Sequence, residues 1–377
     1  MDTYFGIPFE YLYDGPFRTP FHLWTFNFLL LGLIVGSFLN VVIYRLPLGL
    51  STVTPPSHCP KCGTRIKLRH NLPVLSWLLL RGRCAYCAAE IPPRYLLVEA
   101  FTGVTFLATW LHFGREQPLM ALAICILLAG FIAATAIDLE HYIIPDQITV
   151  GGIFAGFLFC AVAPALPGAT TAVEGMKLSA LGAVVGGGLV YGVLRFGKLM
   201  FGKQRVNIAS GAKITFSEEA IHLPDGDLFY DEVFYRRADT VVLEARRLEL
   251  SDRCYWNQPV RLALKQEPPL LQIGDERFDA SQEPWMSAET DKVTLPREAM
   301  GFGDVKFMAG IGAFLGWQAT IFSLFASAVL GSVVGVGLIL AGKRDWSARL
   351  PYGPFIAAAA ALWVWGGNTW FYRLFAR

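Results

Sequence analysis

Residues 22–44, HLWTFNFLLLGLIVGSFLNVVIY, form an apolar run without Asp, Glu, Lys or Arg. A helix needs about 20 residues to cross the hydrocarbon core of a bilayer, so a run of this length predicts a membrane span. Similar runs follow along the chain and predict an α-helical polytopic membrane protein with about eight transmembrane helices. We place these helices near residues 22–44, 95–113, 118–137, 148–165, 176–197, 305–316, 318–341 and 353–371.

Composition agrees with a protein of the lipid bilayer. Hydrophobic residues make up 54% of the 377 residues, and the mean hydropathy is +0.44. The formal net charge of +2 is too small to indicate nucleic acid as a partner. Asp2, Glu10 and Asp14 precede the first run, and acids are the wrong charge for the start of a cleavable signal peptide. We therefore expect the first run to be a membrane anchor.

Basic residues predict the orientation of the chain. Between residues 45 and 94 lie eight Lys or Arg residues and a single acid, Glu90. The positive-inside rule places this segment in the cytoplasm. Counting spans from there brings Asp138 and Asp304 to the same cytoplasmic face of the membrane, although 166 positions separate them.

These two aspartates are the candidate catalytic residues. Asp138 ends one apolar run, and Gly301-Phe302-Gly303-Asp304 opens another. Ionisable groups at membrane depth are costly and commonly functional. Two carboxylates are the minimum that activates water: one takes a proton from it, while the protonated partner polarises the bond under attack. The two glycines leave room beside Asp304 for a substrate backbone.

Each aspartate also has a structural interpretation. Asp304 could cap its helix, because an acid there satisfies free backbone amides and favours the helix dipole. Asp138 could be a solvated residue just past a span. Asp146 follows Pro145 at the same face and fits a turn or cap before the fourth span, so we expect it to be structural. The role of Glu99, near the start of the second span, stays open.

Four cysteines predict a metal site. Cys59 and Cys62 form one C-x-x-C pair, Cys84 and Cys87 form another, and 21 residues separate the pairs. This spacing is close to that of a four-cysteine zinc ribbon. A loop of about 50 residues is too small for a large core, so a structural zinc ion is a fitting crosslink. Two disulfides are the alternative, which a reducing cytoplasm disfavours.

The chain divides into five predicted parts. Residues 198–300 are polar, with runs that alternate apolar and polar residues between turn signals, and they predict an inserted cytoplasmic β-rich domain. The expected parts are the first span in 1–47, a zinc-binding loop in 48–94, spans two to five in 95–197, the insertion in 198–300 and the last spans in 301–377.

Five ordered stretches resemble bacterial prepilin peptidases of the type IV pilus and type II secretion systems, which are GxGD-type intramembrane aspartic proteases. They are residues 36–47, residues 71–77 with 81–84, residues 138–146, residues 301–306 and residues 351–355. The long insertion departs from the family pattern, in which a short connection is usual at this place.

The resemblance implies a bacterial inner-membrane endopeptidase with Asp138 and Asp304 as its catalytic pair. It implies that the substrates are prepilins and pseudopilins, cleaved after a glycine that ends a short basic leader. It also implies that the new N-terminal residue is methylated with S-adenosylmethionine as the cofactor.

Two other classes of protein remain open at this point. A transporter uses intramembrane acids as proton or cation sites at broken helices. The lack of a clear repeat between the halves of the chain, and acids at a face rather than the midplane, argue against it. A membrane-anchored zinc-ribbon adaptor would make the aspartates incidental. Separate substitution of each aspartate, with an assay of leader cleavage, distinguishes all three.

Overall fold

The computed structural model describes residues 3–4, 7–8, 21–201, 203–208, 212–224, 226–234, 239–283, 285–296, 301–342 and 350–375. Two compact units share the chain. The first consists of Met1–Tyr191 with Gly301–Arg377, and the second of Gly192–Met300.

Helices dominate the first unit. In chain order the α-helices are α1 (Phe21–Arg45), α2 (Leu75–Leu79), α3 (Arg94–Thr109), α4 (Pro118–His141), α5 (Asp146–Val162), α6 (Ala172–Phe201), α7 (Tyr230–Val233), α8 (Phe302–Leu315), α9 (Trp317–Leu340), α10 (Gly353–Leu362) and α11 (Asn368–Phe375). Helix α6 crosses into the second unit and α7 belongs to it. Helices α3 and α10 continue as π-helical turns through Trp110–Gly114 and Trp363–Gly367.

A helix lies at each of the eight apolar runs. Within the described ranges, five helices are long and apolar enough to cross a membrane: Leu23–Arg45, Arg94–Gly114, Pro118–His141, Ala172–Met200 and Trp317–Leu340. The helices Asp146–Val162 and Gly353–Gly367 are apolar but shorter. Helix α8 has 14 residues, because Gly316 takes a left-handed φ of 82° and ends it. The chain is therefore a multi-pass membrane protein.

Glycines let the helices of the first unit approach closely. A methyl group at Gly36 of α1 would lie 2.8 Å from the Cα atom of Glu99 in α3. A methyl group at Gly156 of α5 would lie 2.8 Å from the backbone of Ala313 in α8. Close backbone approach of this kind is the usual basis of helix packing in a bilayer, where lipid is as apolar as the side chains.

The second unit is a β-domain, as predicted for the insertion. Its strands are β3 (Lys203–Asn207), β4 (Lys213–Phe216), β5 (Ala220–Leu223), β6 (Gly226–Phe229), β7 (Val241–Leu250), β8 (Cys254–Ala263), β9 (Leu270–Ile273), β10 (Glu276–Asp279), β11 (Met286–Glu289) and β12 (Lys292–Pro296); near the N-terminus, β1 (Thr3–Tyr4) pairs with β2 (Ile7–Pro8).

The described pairings of this sheet are antiparallel. The order runs β10-β9-β8-β7-β11-β4-β5-β6, and β12 pairs with both β3 and β7. Alternate residues of β7, beginning Val241, Leu243 and Ala245, are buried. Leu271 and Val293 from neighbouring strands join the same core. The insertion thus buries an apolar core of its own.

Candidate active site

Asp138 and Asp304 lie in the first unit on two helices that are distant in sequence. Asp138 is one turn from the end of α4, where Tyr142 adopts a left-handed φ of 55° and its N–H donates to the Asp138 carbonyl. Asp304 lies in the first turn of α8, whose N-cap is Gly301. Their exposed fractions are only 5% and 8%. Asp304 is thus the third helical residue and not the cap itself.

The structure brings these two carboxylates into the same small space. They interact electrostatically, so a charge on one bears on the other. Oδ2 of Asp138 accepts a hydrogen bond of 2.8 Å from the N–H of Gly353 at the start of α10. The Asp304 carboxylate hydrogen-bonds to the backbone of Gly301, which resembles the back-reaching contact of a capping box. Three helices therefore converge on the pair.

Ile144 packs between these helices. Its position changes the expectation that Gly303 leaves room beside Asp304. It is 8% exposed and follows α4. A methyl group at Gly303 would lie 3.4 Å from its Cβ and its carbonyl oxygen, so the protein itself fills the space beside Gly303. Gly301 differs because it is exposed. A methyl group there would lie 3.5 Å from Oδ2 of Asp304. The open space beside Asp304 is therefore at Gly301.

Sequence reasoning missed the neighbours that α10 supplies. A methyl group at Gly353 would lie 2.8 Å from Oδ2 of Asp138 and 3.0 Å from Cδ1 of Ile144. The Tyr352 hydroxyl is 3.0 Å from Oγ of Ser327 and interacts electrostatically with Asp304. The stretch Pro351-Tyr352-Gly353-Pro354 marks the start of a helix in the sequence. Nothing in the stretch itself indicates that it contacts the aspartates.

Asp146 makes a contact that the sequence did not predict. Its two carboxylate oxygens lie 2.6 and 2.8 Å from Nζ of Lys306. Asp146 begins α5, and Lys306 lies two residues after Asp304 in α8, so the ion pair joins α5 to the helix that carries Asp304. Nζ of Lys306 also lies 5.3 Å from the centre of the Phe302 ring.

The four predicted metal ligands form one cluster. The sulfur atoms of Cys59, Cys62, Cys84 and Cys87 all lie within 4.8 Å of one another, and those of Cys59 and Cys87 are 3.8 Å apart. Tetrahedral zinc with Zn–S bonds of about 2.3 Å requires sulfur separations of roughly 3.8 Å, so the donor set fits a metal ion. The four cysteines are not disulfide-bonded.

The two halves of the cluster have the same backbone fold. In one, the N–H of Cys59 donates to the Thr64 carbonyl and the N–H of Gly63 donates to the Cys59 carbonyl. In the other, Cys84 bonds to Ala89 and Ala88 bonds back to Cys84 in the same way. Gly63 and Ala88 both have left-handed φ values, of 69° and 55°. Each half is thus a metal knuckle.

The electrostatics of the first knuckle favour a thiolate. The side-chain hydroxyl and the backbone of Thr64 hydrogen-bond to Cys62 and lower the pKa of that thiol to about 6. A thiolate is the form that ligates a metal ion.

Two family models match the chain, each over one part. The Bacterial Peptidase A24 N-terminal domain matches residues 30–113, which include the cysteine cluster. The type IV leader peptidase family matches residues 125–216 and 290–336, which include both aspartates. No solved structure matches this chain.

Curated relatives carry names that agree with these models. The type 4 prepilin-like proteins leader peptide-processing enzyme of Escherichia coli O78:H11 is 43% identical over 145 residues, 34% of this chain and 53% of the relative. A prepilin leader peptidase/N-methyltransferase of Myxococcus xanthus is 42% identical over 156 residues, 41% of this chain and 44% of the relative.

The chain thus matches about half the length of these two relatives. A third, the prepilin leader peptidase/N-methyltransferase of Aeromonas salmonicida, aligns over 370 residues and 91% of both chains at 27% identity. The chain therefore belongs to the type IV leader peptidase family.

Proposed function

We propose that this protein is a membrane aspartic endopeptidase that removes the leader peptide of type IV prepilins and type II secretion pseudopilins. We propose that it also N-methylates the new N-terminal residue. The observation that carries the peptidase is the meeting of Asp138 and Asp304, two buried carboxylates from helices far apart in sequence. The names of the relatives support the substrate class and the second activity.

The two aspartates act as a pair that shares one proton. Two neighbouring carboxylates in a buried site resist double ionisation, so one holds a proton while the other is charged. The charged carboxylate takes a proton from water, which attacks the scissile carbonyl carbon, and the protonated one donates to the carbonyl oxygen. The proton taken from water then passes to the leaving nitrogen as the peptide bond breaks. The carboxylate that donated to the carbonyl oxygen takes its proton back, which restores the pair. The Gly353 N–H holds Asp138 in place by its 2.8 Å hydrogen bond.

The proposed topology brings the substrate to this pair. We propose eight spans in the bacterial inner membrane, with the loop 48–94, the insertion 198–300 and the catalytic pair at the cytoplasmic side. Eight Lys or Arg residues between positions 45 and 94 support this orientation. A basic leader stays on the cytoplasmic side by the same rule, so its junction with the apolar segment of a prepilin meets the aspartates at the membrane face.

Zinc and S-adenosylmethionine are the two proposed cofactors. Cys59, Cys62, Cys84 and Cys87 would hold zinc as a closed structural site, in which four protein ligands leave no position for a substrate water. S-adenosylmethionine supplies an electrophilic methyl group when it is bound.

Separate Asp138→Asn and Asp304→Asn variants test the peptidase. Each is expected to abolish leader cleavage while the protein still inserts in the membrane, because an amide neither takes nor gives the required proton. The exposed Glu116→Gln, another carboxyl-to-amide change, is the matched control and is expected to cleave normally. Cleavage is measured with a prepilin in detergent or proteoliposomes. Normal cleavage by either aspartate variant removes that residue from the mechanism.

The pH dependence of the same assay tests the shared proton. We expect a bell-shaped profile for the wild-type rate, whose two apparent pKa values belong to the pair and not to either residue. A rate that rises or falls monotonically across the range where the protein is folded contradicts the shared-proton mechanism.

A further inference from the structure

The second unit contains a Ser-His-Asp arrangement, whereas both aspartates of the candidate active site belong to the first unit. Nδ1 of His222 lies 2.7 Å from Oδ1 of Asp227, and Nε2 of the same ring lies 3.1 Å from Oγ of Ser217. An ionised Asp227 accepts the proton on Nδ1, which leaves Nε2 as an acceptor for the Ser217 hydroxyl. Hydroxyl, imidazole and carboxylate thus follow one another as in a serine nucleophile, its general base and the group that orients the base.

The pairing of three strands fixes this arrangement. His222 of β5 is directly opposite Asp227 of β6 in the antiparallel pairing. Ser217 follows β4, which pairs with β5 on its other side. Directly opposite residues of two antiparallel strands have their side chains on the same face of the sheet. The contact between the imidazole and the carboxylate therefore follows from the register of the sheet.

Ser217 is held by its backbone and by its side chain. Its N–H donates to the Ala220 carbonyl at 3.0 Å, and its carbonyl accepts a hydrogen bond of 2.7 Å from the Tyr230 hydroxyl. Its Oγ accepts from the Ala220 N–H at 3.3 Å and lies 3.2 Å from the Ala220 carbonyl oxygen. The hydroxyl proton thus has two acceptors, the Ala220 carbonyl and Nε2 of His222. Rotation about the Cβ–Oγ bond turns the proton from one to the other.

Ser217 borders a cavity of about 430 Å³ within the same unit. Binding sites for small molecules have volumes of roughly 300–1,000 Å³ and walls that are mostly apolar. Phe216, Phe234, Leu271 and Met286 form part of the wall of this cavity, and each is at most 3% exposed. A nucleophile beside such a wall favours a substrate in which the reacting group is joined to an apolar chain.

Charged side chains at the cavity narrow the class of substrate. Lys265 is the basic residue among the described residues that line the cavity, and its ammonium group is the cation available to an oxyanion formed at Ser217. Glu218 and Glu283 also line the cavity and disfavour an acyl chain that ends in a carboxylate. A neutral ester with an apolar acyl chain fits both conditions.

We propose that Ser217, His222 and Asp227 form a second catalytic site, which hydrolyses carboxylic esters that have an apolar acyl chain. Oγ of Ser217 attacks the carbonyl carbon and gives its proton to Nε2 of His222, while an electron pair of the carbonyl bond moves to the oxygen. This pair then re-forms the carbonyl bond, the bond to the alcohol oxygen breaks, and His222 protonates the departing alcohol. Asp227 orients the imidazole and stabilises its charged form.

Water completes the reaction by hydrolysing the acyl-serine ester. It gives a proton to His222 as its oxygen attacks the carbonyl carbon. The bond to Oγ then breaks, Ser217 takes the proton back from His222, and the carboxylic acid leaves. The aspartates of the proposed peptidase take no part, so the test of this site does not depend on the test of leader cleavage.

A fluorophosphonate probe with an alkyl chain tests the nucleophile. Oγ of an activated serine attacks the phosphorus atom of such a probe and displaces fluoride, which leaves a stable adduct. We expect this adduct on Ser217 of the full-length protein in detergent, where tandem mass spectrometry of its peptides locates it. His222→Gln should abolish labelling, because an amide does not accept the serine proton as a base does. Ser251→Ala, which removes an exposed serine between β7 and β8, is the matched control and should label as the wild type does.

Hydrolysis of p-nitrophenyl hexanoate tests turnover. We expect Ser217→Ala and His222→Gln each to lower kcat by about 10³-fold, the scale of a lost general base. Asp227→Asn should lower it less, because the asparagine oxygen still accepts from Nδ1 and only the charge is lost. The wild-type kcat/KM should rise from acetate to hexanoate by about fourfold for each CH₂ group that the cavity buries.

Two results overturn the proposal: folded wild-type protein without an adduct on Ser217, or hexanoate hydrolysis that Ser217→Ala leaves unchanged. The first result needs no variant, so a Ser217→Ala protein that misfolds does not prevent a decision. If these hydrogen bonds serve only to stabilise the turn after β4, Ser217→Ala lowers the thermal midpoint and the wild-type protein does not react with the probe.

Discussion

Gly353 shows how one residue can control the aspartate pair without taking part in the chemistry. Its N–H donates to Oδ2 of Asp138, and its missing side chain leaves room for that same oxygen. A methyl group at this position would lie 2.8 Å from Oδ2 and 3.2 Å from Cγ of Asp138. The Asp138 side chain is short and only 5% exposed, so it has little space in which to move aside. Glycine is therefore required here for space, and not for an unusual φ.

We predict that Gly353→Ala lowers the rate of leader cleavage by about 10²-fold, because it displaces the Asp138 carboxylate from its place beside Asp304. The measurement is single-turnover cleavage of a prepilin in detergent, with membrane insertion and the thermal midpoint followed in parallel. Gly337→Ala in α9 is the matched control, because a methyl group there has no neighbour within 4 Å. Equal cleavage rates for the two alanine variants would show that Gly353 does not position Asp138.

At the scale of elements, the cysteine loop depends on a crosslink. Between residues 48 and 94 the described helices are the five residues of α2 and the three-residue 3-10 turn Leu68–His70. Most of the side chains in this stretch are exposed or half-buried. This small buried apolar surface cannot offset the conformational entropy that the chain loses when it becomes ordered. A bound metal ion is therefore the expected source of stability.

We predict about one equivalent of zinc per chain in the purified protein, as expected for one site with four thiolate ligands. Serine at both Cys59 and Cys62, or at both Cys84 and Cys87, should abolish zinc binding and make the loop sensitive to proteases. Methylation should fall more than leader cleavage, because the loop supplies no described contact to the aspartates. Cys125→Ser, within α4, is a control that should keep its zinc. Two disulfides in protein prepared without oxidation would contradict the zinc site and the cytoplasmic placement together.

The elements also show what the sequence could and could not predict. The helices follow from apolar runs, because length and hydropathy are local properties, and the alternating runs of the insertion predicted strands for the same reason. The cysteine cluster was predictable because two C-x-x-C pairs at this spacing are typical of a site with four cysteine ligands. The hydrogen bond from Gly353 to Asp138 spans 215 positions, and the Val74 N–H donates to the carboxylate of Glu99 in another helix. Such contacts depend on tertiary packing, which no local pattern encodes.

At the scale of the whole molecule, residues 204–296 and the remainder of the chain carry net charges of opposite sign. Residues 204–296 contain seventeen Asp and Glu and eleven Lys and Arg. The remainder of the chain has thirteen acids and twenty-one Lys and Arg, and the total is the net +2 of the protein. An acidic domain attracts basic segments at a distance and raises the rate of encounter with them, an effect that salt screens. The basic leader of the proposed substrate is such a segment, so we expect the insertion to speed substrate capture without supplying a catalytic group.

We predict that a flexible Gly/Ser linker in place of residues 205–296 leaves measurable cleavage of a small, uncharged model leader peptide. The insertion has a buried apolar core that is made of residues of the second unit. Cleavage of a full-length prepilin with a basic leader should slow, chiefly through a lower kcat/KM at low salt, and the difference from wild type should shrink as salt is added. Kinetics of both substrates at two ionic strengths, on protein shown to be folded and inserted, provide the measurement.

A well-folded deletion variant without any activity on the small peptide would make the insertion part of the catalytic machinery. A salt-independent loss on the full-length substrate would rule out electrostatic capture and leave shape as the means by which the insertion acts.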